Sequence, residues 1–158
     1  MMRKHILLSA AFLLLSTAVP MPVAAQNIIP QPENISLSRG QFKLNKGLKI
    51  VTNLTGSDFK VLNQYTSEVM NHPLVYAKNP SQQATFRLIC KGTAQQAAQA
   101  MDSVCLQGYE LKVTPKGITI QSLTPTGLFY GLQTVRQLEK DGKIACVKVK
   151  DTPRFASR

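Results

Sequence analysis

"GYELKVTPKGITIQSLTPTGLFYGLQTVRQL" (Gly108–Leu138) sets two periodicities side by side. "YELKV" and "ITIQS" alternate apolar and polar residues with the period of two that a half-buried strand requires. Between them "TPKG" places Pro115 and Gly117 where a tight turn needs them, so the two runs are expected to form a hairpin. The pattern then changes. Thr124 can cap a helix, Pro125 fits its first turn, and Leu128, Leu132, Val135 and Leu138 recur at spacings of four, three and three, with Phe129 beside them. Gly142 is expected to end that helix. Gly127 and Gly131 clear one side of it for close approach to a sheet, despite a cost of about 1 kcal/mol each relative to alanine.

Outward from this stretch the chain repeats the same vocabulary. "IACVKVK" (144–150) reads as a final strand. Upstream, Pro30 and Pro32 hold the chain extended, and "QFKL" and "LKIVT" read as short strands with "NKG" as the turn between them. "SDFKVLNQYTSEVM" (57–70) puts Phe59, Leu62, Thr66, Val69 and Met70 on one helical face, behind a Ser57 cap and the early acid Asp58. Pro73 stops it. "LVYA" is a short strand and "ATFRLIC" a better one, with Phe86, Leu88 and Cys90 facing one way and Thr85, Arg87 and Ile89 the other. "TAQQAAQAM" (93–101) reads as an insertion loop with a weak helix. The order is β-β-α-β-β-(weak α)-β-β-α-β. It implies an α+β domain, a mainly antiparallel sheet with two main helices on one face.

The first 25 residues stand apart. Arg3 and Lys4 precede the apolar run "ILLSAAFLLLSTAV", and Val23 and Ala25 stand at −3 and −1 of a small-residue cleavage site. This is the pattern of a secretory signal peptide, so the protein is expected to be exported, periplasmic or secreted. The run is short for a membrane span and broken by Pro20 and Pro22, so no stable membrane anchor is expected. Without it the chain has about 133 residues, one domain's worth. Of 19 basic residues, Arg3 and Lys4 go with the leader, leaving 17 against 8 acids, a net charge of +9. The basic residues are spread singly until "KVKDTPRFASR", with no aromatic ladder among them, so a solvated basic surface is expected and not a nucleic-acid site. Cys90, Cys105 and Cys146 show no CxxC or metal spacing and read as buried thiols.

No reaction centre is visible. GxSxG, HExxH and GxxxxGK[ST] are absent. His72, the one histidine beyond the leader, sits at a helix end and reads as a surface or capping residue. Glycoside hydrolysis generally needs two carboxylates at a defined separation. The acids are Glu33, Asp58, Glu68, Asp102, Glu110, Glu139, Asp141 and Asp151. Glu139 and Asp141 lie in the solvated run "EKDGK", Glu110 alternates outward on its strand, and Asp58 favours a helix N-terminus. The residues assign no catalytic, cofactor-binding or metal site, and no cofactor.

Three stretches together resemble one family. "IIPQPENISLSRGQFKL" (28–44) looks like the start of the N-terminal domain of β-N-acetylhexosaminidases, glycoside hydrolase family 20. "GYELKVTPKGITIQSLTPTGLFYGLQTVRQL" is similar to that domain's second half, with its G-L-F-Y-G-L-Q-T signature. "VKVKDTPRFASR" (147–158) resembles the crossing into the catalytic (β/α)8 barrel, where the family usually reads Asp-x-Pro-Arg-Phe-x-Tyr-Arg-Gly; Ser157 stands in place of the tyrosine. The resemblance spans Asn27 to Arg158. Behind the signal peptide (1–25) it implies an N-terminal α+β domain (26–150) and a linker (151–158) into a barrel that the sequence stops short of. The parent enzymes release terminal β-linked N-acetylglucosamine or N-acetylgalactosamine. Their substrate's acetamido group attacks the anomeric carbon, while an adjacent Asp-Glu pair in the barrel orients it and supplies the acid/base. No Asp-Glu dipeptide occurs here, so no catalytic residue carries over and the chain is expected to be inactive alone. Its expected partner is the barrel, with glycans as further candidates. The alternative is a stand-alone periplasmic module that binds glycan or protein without catalysis.

Overall fold

The computed structural model describes residues 28–29, 31–92 and 107–152. Along the chain run β1 (Asn34–Lys43), β2 (Ile50–Thr52), α1 (Gly56–Glu68), β3 (Leu74–Tyr76), β4 (Phe86–Cys90), β5 (Tyr109–Thr114), β6 (Gly117–Ser122), α2 (Pro125–Leu138) and β7 (Lys143–Asp151). This is the expected order. The leader, the weak helix over "TAQQAAQAM" and Cys105 fall outside the described residues.

The strands form one sheet in the order β1-β7-β5-β6-β4-β2-β3. It is mixed, which corrects the expectation of a mainly antiparallel sheet. The pairs β1/β7, β5/β7 and β5/β6 are antiparallel, whereas β4/β6, β2/β4 and β2/β3 are parallel. Parallel neighbours need a crossover, and α1 supplies one by carrying the chain from β2 to the start of β3. The "NKG" turn therefore joins no hairpin: β1 is one edge of the sheet, and β2 lies next to the other. The β5–β6 hairpin forms as read, with Thr114 paired to Gly117 around a two-residue turn.

Register decides what each face holds. Tyr109, Leu111 and Val113 pair with Ser122, Ile120 and Ile118, and all six are buried on one face. Helix α2 lies on that face with Leu128, Leu132, Val135 and Leu138 buried, each contributing about 1.5–3 kcal/mol of apolar burial. Its two glycines are required there. A Cβ on Gly127 would overlap Ser122 Oγ and the Gly108 carbonyl oxygen, and one on Gly131 would overlap the Ile120 side chain. Helix α1 lies beside α2, burying Leu62 and Thr66, and Tyr65 meets Phe129 edge-on at 5.0 Å between ring centres. The two helices thus share one face, as expected.

Helix ends follow the sequence in part. Thr124 Oγ1 accepts from the Gly127 amide at 3.1 Å, the predicted cap. In α1 the N-cap is Thr55, without a side-chain bond, and Ser57 lies inside the helix. Helix α2 stops at Leu138; Gly142 (φ +70°) instead serves the turn in which Lys140 and Lys143 exchange backbone hydrogen bonds of 2.9 Å. Beyond β2, the Asn53 carboxamide clamps the Cys90 main chain, accepting from its amide (2.9 Å) and donating to its carbonyl (2.8 Å).

Candidate functional site

The acids do not converge. Glu33, Asp58, Glu68, Glu110, Glu139 and Asp141 are all exposed: Asp58 and Glu68 stand at opposite ends of α1, Glu139 and Asp141 share the turn after α2, and Asp102 lies outside the described residues. Asp151 departs from the rest. It is the last residue of β7, only 4% exposed, and the cross-strand neighbour of Tyr109. Among the described residues no three His, Cys, Asp or Glu side chains gather as a metal site.

His72 was expected at the surface or in a cap, and it is buried at 3% exposure. Its amide does close the end of α1, donating to the Thr66 carbonyl at 2.8 Å. Burial pushes the imidazole below its ordinary pKa, opposed by Glu139 and by a hydrogen bond with the Leu48 backbone, and Nδ1 has no partner. A neutral, enclosed ring is a packing residue. Burial likewise raises the Cys90 and Cys146 thiols, Cys146 being fully enclosed and Cys90 half-buried, so both remain protonated at neutral pH.

Two surfaces remain. The first is the outer side of the helix layer and the strand ends beside it. Thr134 donates to the Tyr130 carbonyl at 3.2 Å, so the Tyr109 hydroxyl must be the donor in its 2.5 Å bond to Thr134 Oγ1. Gln137 grips the N-terminal segment by both ends of its amide, accepting from Ile29 N (2.8 Å) and donating to Ile29 O (3.0 Å), while the Ile29 side chain is 79% exposed. Val61 on α1 and Val69 at its C-cap are also exposed, and Phe129 and Tyr130 half-buried, so apolar groups recur along this side. Where β7 ends, a cleft of about 250 Å³ opens at the strand ends and is lined from both faces, by Tyr109, Ser122 and Asp151 and by Glu110, Gln121 and Lys150.

The second is the helix-free face. Glu110, Lys112, Thr119 and Gln121 alternate away from the buried set, and register brings Arg87 opposite Thr119 and Lys148 opposite Lys112. In the sequence Arg87 and Lys112 stand singly and Lys148 opens the run "KVKDTPRFASR". The signal that unites them is parity within each strand combined with strand order, and only the first is written locally.

Against known proteins, the family model described as "Glycosyl hydrolase family 20, domain 2" matches residues 25–152. Three solved structures share the fold. A Streptomyces plicatus N-acetyl-β-hexosaminidase, in complex with Thio-NAglucal, is 23% identical with a TM-score of 0.65, covering 89% of this chain and 28% of its own. The β-N-acetylhexosaminidase of Bacteroides fragilis NCTC 9343 is 22% identical at 0.58, covering 82% and 25%. The Flavobacterium johnsoniae chitobiase is 22% identical at 0.63, covering 83% and 21%. The chain thus spans about a quarter of the length of these relatives.

Proposed function

Because the chain belongs to glycosyl hydrolase family 20 through that family's domain 2, we propose that it serves as the accessory N-terminal domain of an exported β-N-acetylhexosaminidase. The observation that carries this reading is the asymmetry of coverage: 82–89% of this chain corresponds to only 21–28% of three enzymes of that kind. The remainder of such an enzyme is the (β/α)8 barrel that would hold the Asp-Glu pair. In this reading the barrel docks against the outer side of the helix layer, where Ile29, Val61 and Tyr130 are at hand and where β7 delivers the chain onward. Hydrolysis of terminal β-linked N-acetylhexosamine by substrate-assisted attack belongs to the barrel, and export to the 1–25 leader.

The reading makes two checks. Purified residues 26–158 release no chromophore from a β-N-acetylglucosaminide above a heat-killed control; measurable turnover would place a reaction centre in this domain. The coding sequence after Arg158, read in any frame, encodes a barrel with an adjacent Asp-Glu pair. A downstream region without one would leave a free-standing module.

A further inference from the structure

The helix-free face carries an arrangement that an accessory role does not use. Register sets Arg87, Thr119, Lys112 and Lys148 in one row across β4, β6, β5 and β7, through the pairs Arg87↔Thr119, Lys112↔Thr119 and Lys112↔Lys148. Neighbouring strands are about 4.8 Å apart, so the row presents its cations over roughly 15 Å. It lies in a groove of about 320 Å³, walled also by Gln82, Glu110 and Gln121. A second hollow of about 190 Å³, reached by Thr114 and Lys116, shares Gln82, Arg87, Lys112 and Thr119 with it. Glu110 is the one acid that the strands place on this face, and it pairs across the ladder with Lys150. Lys112 and Lys148 face each other directly, an arrangement that destabilises a sheet when nothing lies between them.

We infer that this face binds an anionic polysaccharide, its carboxylate or sulfate groups taken by Arg87, Lys112 and Lys148 and its hydroxyls by Gln82, Thr119 and Gln121. Arg87 is already oriented: its Nη2 donates to Thr119 Oγ1 at 2.7 Å, and its Nε, shielded from solvent, has no partner. A planar guanidinium held in this way suits a two-oxygen anion. No aromatic side chain lines either hollow, so they offer no platform for stacking nucleotide bases. Charge and hydrogen bonding carry the recognition. The inference rests on this domain's own sheet and stands whether or not a barrel accompanies it.

The test titrates the purified chain with a chondroitin sulfate oligosaccharide by calorimetry and amide NMR, beside a neutral chito-oligosaccharide and a single-stranded oligonucleotide of equal charge. Expected are saturable binding, shifts confined to β4, β5, β6 and β7, and affinity that falls as salt rises. Lys112→Gln and Lys148→Gln each weaken it about tenfold, as loss of a charge-assisted contact implies, while Lys60→Gln on α1 leaves it unchanged. Both face variants keep a Tm at or above the parent's, because removing one lysine relieves the facing pair, so weaker binding reports the site and not unfolding. Absence of binding at low salt, an equal loss in Lys60→Gln, equal affinity for the neutral sugar, or tighter binding of the oligonucleotide would each overturn it.

Discussion

The two faces of this sheet are made by the same strands, one residue out of step, and they use opposite chemistry. Ile120 lies against Gly131 of α2 with no exposure, whereas Gln121 beside it opens onto the cationic groove. On the covered face position is set by volume. On the open face it is set by charge, with lysines kept opposite each other and one arginine held by a threonine. The difference teaches where this domain can tolerate change: packing errors on one side cost it stability, and charge changes on the other chiefly alter what it meets.

The sharpest way to break the comparison is a pair of alanines at adjacent residues. Ile120→Ala is expected to lose about 2–5 kcal/mol through lost burial and a cavity, and Gln121→Ala to stay within about 0.5 kcal/mol, read by urea denaturation. Gly131→Val comes next. Its methyls meet Ile120, so stability falls by about 1–3 kcal/mol even though valine is the better helix former, with near-UV dichroism reporting shifted aromatics. Removing the cap by Thr124→Ala costs about 1 kcal/mol. The covered side also holds a titration. The native His72 pKa is depressed, so below its ordinary value of about 6.5 the unfolded chain takes up the proton more readily. Stability present above that pH is therefore lost on acidification, and His72→Gln should flatten the Tm profile as the pH falls below about 6.5. The smallest effect has the opposite sign: Lys112→Gln should gain about 0.2–1 kcal/mol at low ionic strength, and the gain should shrink in salt.

Local features were legible. The β5–β6 hairpin and α2 follow from alternation, a two-residue turn and a cap, all written within 31 residues, Gly108–Leu138. The parallel half was misread because "NKG" looks like a hairpin turn, and no local rule says that β1 and β2 go to opposite sides of the sheet. The 13-residue α1 between two short apolar strands was the available sign of a crossover. The sequence points His72 to the surface or to a helix cap; its main chain does close α1, but the burial of its ring involves Leu48 and Glu139, which are distant in sequence. The cationic row was invisible for the same reason: Arg87, Lys112 and Lys148 become neighbours only once β4, β6, β5 and β7 are set in order. Asp151, read as the opening of a linker, also closes the last strand.

The place of that last strand governs how the domain must assemble. Among the described residues β1 bonds to β7 alone, so the first of these strands to be made waits for the last before it has a ladder partner. Local pairing favours β5, β6 and α2 as the first structure, with β7 docking on β5 and β1 added as the final layer. During that wait β1 is exposed as a lone edge. Its Ser36, Ser38, Arg39, Gly40 and Gln41 give it little of the uniform apolar, β-forming character that drives strands of different molecules together. The polar first strand thus acts as a safeguard in time, keeping an incomplete chain from joining another before its own last strand arrives.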